Sequence, residues 1–447
     1  MSARQMAEIL KTGVVYQINL RAFTPEGTLA AAERLLPHIR SIGADIVYLC
    51  ACATADRDED RAGWSDRQRA SGLNNPCNPY RISDYDSIDP EYGDMEDMKR
   101  FVAAAHALGL RVLLDLVYFH CGPNAVFLKE HPDFIVRNPD GTPALGSWRF
   151  PQLNFEKQEL REVLMRNMEL FVRECGVDGY RCDVGDAVPL DFWAEACARI
   201  DALKPGLVMI NEGVDGGYLD VFDLNYGWYL REAFVACVEG KQPAGVIAET
   251  QMAYSREHLQ GTYRSIALLE NHDTVNDDYD NRLEKRIGKR VMDAGLVINF
   301  TLPNVPFLYN GTEVCDTNRH SIWGNRFHGA NLVIDWQNAL TADGVDRIAL
   351  IRLLAQLRHA EPALGMDGAL AFADTGNAQV LGYFREKAGQ RCLVAVNLSD
   401  ETACAKVAAE AKAEDVLLAR GAEAELKYGN VDMTLEPWGF AVMELKS

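Results

Sequence analysis

Three carboxylates follow short apolar runs: Asp183 in GYRCDVGD, Glu212 in VMINEG and Asp273 in LLENHD. Each run has the length and composition of a buried parallel strand. Since the carboxyl ends of barrel strands meet at one face, we expect the three side chains to converge there. Paired carboxylates with a third nearby suit cleavage of a glycosidic bond. One acts as nucleophile, one as general acid and base, and the extra negative charge favours an oxocarbenium-like transition state.

Two positively charged or polar neighbours support this interpretation. Arg181 precedes Asp183 by two positions, so strand alternation points both side chains to the same side. A guanidinium beside a carboxylate keeps it ionised, as a nucleophile requires, although taken alone the pair fits a structural ion pair better. His272 precedes Asp273, where an imidazole could bind sugar hydroxyls while the aspartate stabilises developing positive charge.

The remaining polar candidates lie at two other strand ends. Glu212 follows an apolar run, and loss of solvent there would raise its pKa toward that of a usable general acid. Asp115 and His120 bracket the end of the third strand-like run. Each residue alone also has a structural interpretation. To dismiss the site, however, a separate structural interpretation would have to hold for every one of these residues. The joint pattern therefore favours a site.

A strand-then-helix alternation must position these residues. The strand-like runs are 14–20, 44–50, 111–117, 179–184, 207–213, 221–225, 265–271 and 305–310, and helical patterns include 28–42, 94–108, 157–175, 190–203 and 283–299. Eight strands alternating with helices predict an α/β fold, a closed (β/α)8 TIM barrel. A doubly wound open sheet would need a glycine-rich phosphate loop after the first strand, and residues 19–27 do not provide one.

Two long connections and a change of pattern give the domain organisation. Residues 51–93 and 121–156 are too long for ordinary strand-to-helix loops, and long loops on the catalytic face are usually functional. After the helical pattern at 346–360, short strands with polar turns predict an antiparallel β-sandwich. We therefore predict a catalytic barrel at 1–120 and 157–362, a short excursion domain lining the cleft at 121–156, and a C-terminal β-sandwich at 363–447.

Charge and composition restrict the partners. The 447 residues carry a formal net charge of −20, which argues against nucleic acid or an anionic membrane surface and tolerates a neutral sugar. No apolar stretch approaches the length of a membrane helix, and the N-terminus shows no secretory signal. Eleven scattered cysteines then fit reduced thiols, so we expect a cytoplasmic protein.

The sequence resembles the α-amylase superfamily, glycoside hydrolase family 13, over nearly its whole length. The segments that carry the resemblance are NPYRISDYDSIDPEYG, DLVYFH, GYRCDVGDAV, VMINEG, LLENHD and TLPNVPFLYNGTE. The resemblance implies a retaining mechanism, with Asp183 as nucleophile, Glu212 as acid/base and Asp273 as transition-state stabiliser.

The resemblance also implies roles for the substrate-binding candidates. Tyr80 would stack under the sugar that is cleaved. Arg181, His120 and His272 would bind hydroxyls or orient the carboxylates, and Asp115 would support the site from the third strand. Within the superfamily, DVGDAVPLDFW and FPQLN are most similar to the neopullulanase/cyclomaltodextrinase branch, whose members are typically intracellular.

Three departures from the family pattern alter what the resemblance implies. The calcium-ligating Asn before the region-one His is Phe119 here, and an aromatic ring cannot ligate a hard cation. We therefore expect no metal or other cofactor. After the acid/base the family often has an aromatic residue, whereas this chain has Gly213, Val214 and Asp215. The first strand begins close to Met1, so the branch's extra N-terminal β-domain is not expected, and the oligomeric state stays open.

The expected activity is hydrolysis of α-1,4-glucosidic bonds in maltooligosaccharides, cyclodextrins or related α-glucans. An α-glucanotransferase or α-glucosidase with the same three carboxylates is the alternative, because only the acceptor differs. A non-catalytic barrel would have lost one or more carboxylates. Trp64, Trp148 and Trp323 lie in predicted loops, where they could stack on sugar rings or anchor the loops.

Overall fold

The computed structural model describes residues 4–277, 282–329 and 332–446. Nine strands precede the C-terminal region: β1 Val15–Ile18, β2 Ile46–Leu49, β3 Ala53–Ala55, β4 Ile82–Ile88, β5 Arg111–Leu116, β6 Gly179–Cys182, β7 Val208–Asn211, β8 Ile266–Leu268 and β9 Val305–Tyr309. Seven of them form one parallel sheet in the order β7-β6-β5-β2-β1-β9-β8, while β3 and β4 form an antiparallel pair in the first long connection.

The predicted barrel strand at 221–225, the sixth along the chain, is reduced to two parallel bridges. Leu224 pairs with Ile210 of β7, and Asn225 pairs with Ser265 before β8. The ladder is irregular because a side chain takes part in it: the Asp223 carboxylate accepts hydrogen bonds from the Met209 and Ala7 N–H groups. The bridges nevertheless join the two edges of the sheet, and the predicted (β/α)8 barrel is confirmed.

Alternation along the strands separates two cores. Inward side chains such as Ile46, Leu113 and Val208 pack against one another inside the barrel. Outward side chains such as Val47 and Cys182 pack against the helices. The inward positions are apolar at the start of each strand and become polar toward its carboxyl end, which places the chemistry at the mouth of the barrel.

The helices are α1 Leu20–Phe23, α2 Leu29–Glu33, α3 Leu36–Ser41, α4 Asp66–Ala70, α5 Met95–Ala107, α6 Gln158–Cys175, α7 Leu190–Leu203, α8 Trp228–Val238, α9 Gly245–His258, α10 Thr274–Asp277, α11 Leu283–Ile287, α12 Lys289–Thr301 and α13 Ala342–Ala360. Two predicted helices are divided. The pattern at 28–42 breaks before Pro37, which has no N–H for a helical bond and lies in the first turn of α3. The pattern at 283–299 breaks at Gly288, whose φ is +80°.

None of the helices in the described parts of the chain combines the length and the hydrophobicity that a bilayer crossing requires.

The second long connection, 121–156, folds back on itself beside the barrel mouth. Antiparallel bridges join Ile135 to Leu153 and Leu145 to Pro151, and a further bridge joins His120 to Gln152. These contacts fix the connection to the end of the third barrel strand, and they aim part of it toward the site.

The C-terminal strands are β10 Ala369–Ala373, β11 Val380–Lys387, β12 Gln390–Asn397, β13 Ala403–Ala408, β14 Ala413–Lys427 and β15 Asn430–Lys446. The long β14–β15 hairpin serves two antiparallel layers: residues 440–445 pair with β12, and residues 430–435 pair with β13. Register shifts in β14 and the positive φ of Trp438 mark the bend between them. Apolar side chains including Leu393, Val407 and Met433 fill the space between the layers, which confirms the predicted sandwich.

Candidate active site

Arg181 is the centre of the site. It lies on β6 directly beside Asp115 of β5, and both side chains point into the barrel. Its Nη1 donates to Asp115 at 2.7 Å and to Asp183 at 2.9 Å, while its Nη2 forms an ion pair with Glu212 at 2.7 Å. Arg181 is fully buried. One guanidinium thus joins three carboxylates from three successive barrel strands.

Asp183 is fixed by the backbone on both sides. Its N–H donates to the Leu116 carbonyl at 2.8 Å, which extends the strand pairing past the end of β6. The next residue, Val184, has φ 45° and ψ 44°, a left-handed conformation that is strained for a β-branched side chain. This turn directs the Val184 N–H to Glu212 Oε2 at 3.1 Å. The nucleophile candidate and the acid/base candidate are therefore held by one short segment.

The turn after Glu212 explains one departure from the family pattern. A Cβ at Gly213 would lie 2.1 Å from a carboxylate oxygen of Asp186, so a side chain cannot be accommodated there without moving that aspartate. The Asp186 carboxylate accepts hydrogen bonds from the N–H groups of Val214 and Asp215 at 2.7 and 3.0 Å. A carboxylate-bound turn thus replaces the family's aromatic residue on this side of the cleft.

His272 and Tyr80 stack on each other at the opposite side. Their ring centroids are 5.3 Å apart and the interplanar angle is 10°. The Tyr80 hydroxyl lies 2.8 Å from Asp115 Oδ2 and 2.7 Å from His272 Nε2. Gln17 contacts the other imidazole nitrogen at 2.6 Å. The ring of His272 is held at both nitrogens, and both His272 and Tyr80 line the pocket.

His120 lies immediately before the second long connection, four residues after the end of β5. Its Nε2 is 2.8 Å from the Tyr80 carbonyl oxygen, and its Nδ1 is a buried atom without a hydrogen-bond partner among the described residues. Burial lowers the pKa of His120 to about 4, so the imidazole is neutral at pH 7. A neutral imidazole with one unused nitrogen at the pocket wall can bind a hydroxyl group.

The carboxylates have different pKa shifts. Burial and the neighbouring Glu212 raise the pKa of Asp183 well above its ordinary value despite Arg181, and burial also raises that of Glu212. Arg181 lowers the pKa of Asp183, as its position two residues away suggests, but the same cation is shared with Asp115 and Glu212 and does not offset the burial of Asp183. Burial acts on Asp273 in the same direction, but His272, Arg67 and Arg181 outweigh it and lower its pKa.

These residues enclose a pocket with an interior volume of about 140 Å³ at the mouth of the barrel. The lining residues are Ser65, Arg67, Asn78, Tyr80, His120, Trp148, Phe150, Asp183, Val184, Glu212, His272, Asp273, Ile322 and Trp323. Arg181 and Asp115 lie behind this wall and hold it together. The structure thus brings together all eight residues that the sequence singles out.

The three tryptophans have different positions. Trp148 and Trp323 line the pocket. Trp64 is 1% exposed, and its indole N–H donates to the Asp58 carbonyl at 3.1 Å, so it anchors its loop. Phe119, at the family's calcium-ligand position, packs its ring edge-on against Trp148 with the centroids 6.3 Å apart.

Sequence reasoning missed several contributors. Tyr48 donates to Asp115 Oδ2 at 2.6 Å, and Gln17 supports His272 as described. Arg67, from the first long connection, contacts Asp273 at 3.3 Å. Alternation does place Gln17 and Tyr48 on inward positions near strand ends, so their polarity was a usable signal. Arg67 lies among other charged residues of the first long connection, and no sequence signal distinguishes it from them.

Comparison with known proteins adds an independent line of evidence. The family model of the alpha-amylase catalytic domain matches residues 11–138. A cyclomaltodextrinase from Bacillus sp is 27% identical over 348 residues, 71% of this chain and 59% of that protein. An alpha-1,4-glucan:maltose-1-phosphate maltosyltransferase from Cereibacter sphaeroides is 26% identical over 371 residues, 80% of this chain and 60% of that protein. The chain thus spans about three fifths of the length of these curated relatives.

A likeness in fold extends over almost the whole chain. The crystal structure of a noncanonic maltogenic alpha-amylase from Thermotoga neapolitana matches with a TM-score of 0.82 at 23% sequence identity, covering 98% of this chain and 100% of that one. These findings confirm the resemblance that the motifs carry: residues 11–138 match the alpha-amylase catalytic domain, the chain is similar in sequence to a cyclomaltodextrinase, and it is similar in fold to a maltogenic alpha-amylase.

Proposed function

We propose that this protein is a retaining α-glycoside hydrolase that cleaves α-1,4-glucosidic bonds in maltooligosaccharides, cyclodextrins or related α-glucans. The observation that carries the proposal is the arrangement around Arg181, whose guanidinium contacts both Asp183 and Glu212. Two carboxyl groups that share one guanidinium can act on the same glycosidic bond, one at its carbon and one at its oxygen. Both lie at the wall of one pocket with Asp273.

The raised pKa values of the two carboxyl groups suit the first chemical step. Since burial raises the pKa of both Asp183 and Glu212, the pair retains a proton more readily than isolated carboxyls do. With that proton on Glu212, the acid donates it to the glycosidic oxygen as the bond from C1 to that oxygen breaks. The ionised Asp183 then forms a covalent bond to C1, and Asp273 stabilises the positive charge that develops on the sugar.

The second step reverses these roles. Glu212, now ionised, accepts a proton from a water molecule, and the resulting oxygen attacks C1 and displaces Asp183. Two displacements restore the original anomeric configuration. Asp115 and Arg181 do not change their bonding in either step, and they hold the carboxylates in place.

The names of the relatives support the substrate class and leave one alternative. Similarity to a cyclomaltodextrinase favours short or cyclic α-glucans and hydrolysis. Similarity to a maltosyltransferase over 80% of the chain favours transfer to a sugar acceptor instead of water. An α-glucanotransferase or α-glucosidase is therefore the second candidate, with the same covalent step and a different acceptor.

We further propose that this chain does not use the calcium ion typical of the family. Phe119 offers no oxygen donor at the position of the family's calcium-ligating Asn, and its ring packs against Trp148. Hard cations such as calcium require oxygen ligands.

Substitution of the nucleophile tests the proposed function. We expect Asp183→Asn to lower kcat on p-nitrophenyl α-maltoside by at least about a thousandfold, because covalent catalysis then lacks its nucleophile. Asp191→Asn, at an exposed helix position away from the pocket, serves as the matched control. Residual Asp183→Asn activity within a few-fold of that control would refute the assignment of the nucleophile.

Product analysis separates the remaining alternatives. Proton NMR of the first products from maltoheptaose should show the α-anomer, and an initial β-anomer would exclude a retaining mechanism. Glucose or maltose released at the rate of substrate loss supports hydrolysis. Longer and shorter oligosaccharides formed together without glucose or maltose would establish the transferase instead.

A further inference from the structure

The long connection between β2 and β5 supplies a cation to the site. It comes from α4, in a segment with many charges, WSDRQRASG. Both terminal nitrogens of Arg67 lie 3.3 Å from Asp273 Oδ1, and Nη2 is also 3.4 Å from the Asp273 carbonyl oxygen. The guanidinium therefore contacts both the side chain and the backbone of Asp273, the residue that stabilises the developing charge in the proposed function.

Arg67 packs on an aromatic ring, and hydrogen bonds connect its helix α4 to that aromatic residue. Its guanidinium carbon is 5.8 Å from the centroid of the Trp323 ring, within cation–π range. The cap of α4 is closed by the Ser65 hydroxyl, which accepts from the Gln68 N–H at 3.1 Å. Gln68 is fully buried and donates to the Asn75 carbonyl at 2.9 Å. Asn75 in turn donates to the Trp323 carbonyl at 3.0 Å, so α4 and Trp323 form one supported unit.

The position of Arg67 argues for a role in chemistry instead of stability. Its side chain is 36% exposed, and an ion pair at that exposure stabilises a fold by at most about 1 kcal/mol. Yet the partner is Asp273, which lines the pocket and is also 3.3 Å from His272. A weak contribution to folding combined with two donors on a site carboxylate is the pattern of a group that orients another.

We propose that Arg67 is a positioning residue, which fixes the orientation of Asp273 and maintains its negative charge while the sugar is bound. This inference rests on the proposed function. The charged or titratable groups that face Asp273 come from several elements: Arg67, His272, Arg181, Asp183, Glu212 and Cys50. Of these, Arg67 is the cation contributed from outside the barrel strands and the family motifs.

The test compares three variants on p-nitrophenyl α-maltoside. Arg67→Met removes the charge and keeps the length of the side chain. Arg67→Lys keeps the charge but cannot contact Asp273 through two nitrogens. Arg61→Met is the matched control, since Arg61 belongs to the same connection and stacks over Trp64, 5.3 Å from its ring centroid, outside the pocket lining.

We expect Arg67→Met to lower kcat by about tenfold to a hundredfold, the size of loss found when an orienting partner is removed from a metal-ligand side chain, with KM changed less than about threefold. The acid limb of kcat against pH should move to higher pH, because the pKa of Asp273 rises when a neighbouring cation is removed. Arg67→Lys should restore the acid limb and part of kcat. Arg61→Met should match the wild type, and all variants should melt within a few degrees of it.

Each other outcome is informative. The inference is overturned if Arg67→Met matches Arg61→Met in both kcat and acid limb, or if it raises KM with kcat unchanged, which would make Arg67 a substrate contact. It is also overturned if Arg67→Lys behaves like Arg67→Met at every pH. A wild-type chain that releases no p-nitrophenol from α-maltoside or α-glucoside refutes the proposed function, and the inference with it.

Discussion

Replacement of Arg181 by Met tests the charge arrangement of the site through stability, without reference to any substrate. The wild-type guanidinium is fully buried and lies within 2.9 Å of Asp115 and Asp183 and 2.7 Å of Glu212. Methionine fills a similar length but leaves these buried carboxylates without that cation. Removing one partner of a buried ionic cluster costs about 3–5 kcal/mol, so we expect a loss of that size near neutral pH.

The loss should depend on pH in a defined direction. In the wild type, burial already raises the pKa of Asp183 and Glu212, and Arg181 opposes that rise. Without Arg181 both values rise further, so the folded variant binds more protons than its unfolded chain over the range between ordinary and shifted pKa. Each such extra proton lowers the free energy of unfolding by about 1.4 kcal/mol per pH unit as pH increases. Relative to the wild type, the deficit therefore grows as pH rises through the interval between the wild-type pKa values of these two carboxyls and the higher values of the variant.

Thermal and urea unfolding at several pH values measure this deficit. With an unfolding entropy of roughly 2.1 cal/mol/K per residue, a loss of about 4 kcal/mol in a chain of 447 residues lowers Tm by about 4 °C. Addition of Asp115→Asn to Arg181→Met should recover part of the loss, because it removes one of the uncompensated charges.

Arg358→Met is the matched control. Arg358 is also fully buried, but its hydrogen bonds go to the main-chain carbonyls of Phe300, Leu302, Asn304 and Leu364. Burial lowers the pKa of Arg358 to about 9, so it stays charged between about pH 5 and 8, and its loss should cost the same throughout. If the Arg181→Met deficit is equally flat, the carboxylate cluster does not hold the protons assigned to it and the reasoning is refuted.

Two further predictions concern the acid/base and the barrel. Glu212→Gln should lower kcat on maltooligosaccharides by about 10²–10⁴-fold. The variant should lose less activity on α-maltosyl fluoride in the presence of azide, because fluoride leaves without a proton and azide needs no base. Equal losses on both substrates would contradict the acid/base role of Glu212. Gly179→Ala should cost more than about 3 kcal/mol in urea unfolding, because its Cβ would lie 1.9 Å from the Val208 carbonyl oxygen on the neighbouring strand. Gly206→Ala, with open space and φ +80°, should cost about 1 kcal/mol; similar costs would argue against the close strand approach.

The convergence of the site residues at the strand ends could be predicted for two reasons. Strand alternation alone puts Arg181 and Asp183 on the same side, and the parallel ring brings successive strand ends to one face. Both inferences require only sequence position, so the eight residues of the motifs converge as expected. The irregular pairing at 221–225 was beyond this reasoning, since the Asp223 side chain replaces part of the backbone pairing there.

The contacts that complete the site could not be predicted, because they join segments far apart in the chain. Arg67 and Asp273 are separated by 206 positions, and Gln17 and His272 by 255. No local pattern specifies which side chain of a long polar loop returns to the barrel mouth. The electrostatic surroundings of Asp183 were hidden for a related reason: the sequence shows one cation beside one anion, whereas the fold shares Arg181 among three carboxylates.

The distribution of the cations divides the site into two electrostatic halves. Arg181 serves Asp115, Asp183 and Glu212 together, and on that side burial prevails and the pKa values of the last two rise. Asp273 has Arg67 and His272 close by, and on that side the pKa falls. The proposed mechanism requires this asymmetry, with a proton available to the leaving group at one wall and a fixed negative charge beside the sugar ring at the other. Because Arg67 comes from a loop outside the family motifs, that loop, and not the barrel alone, makes the two halves different.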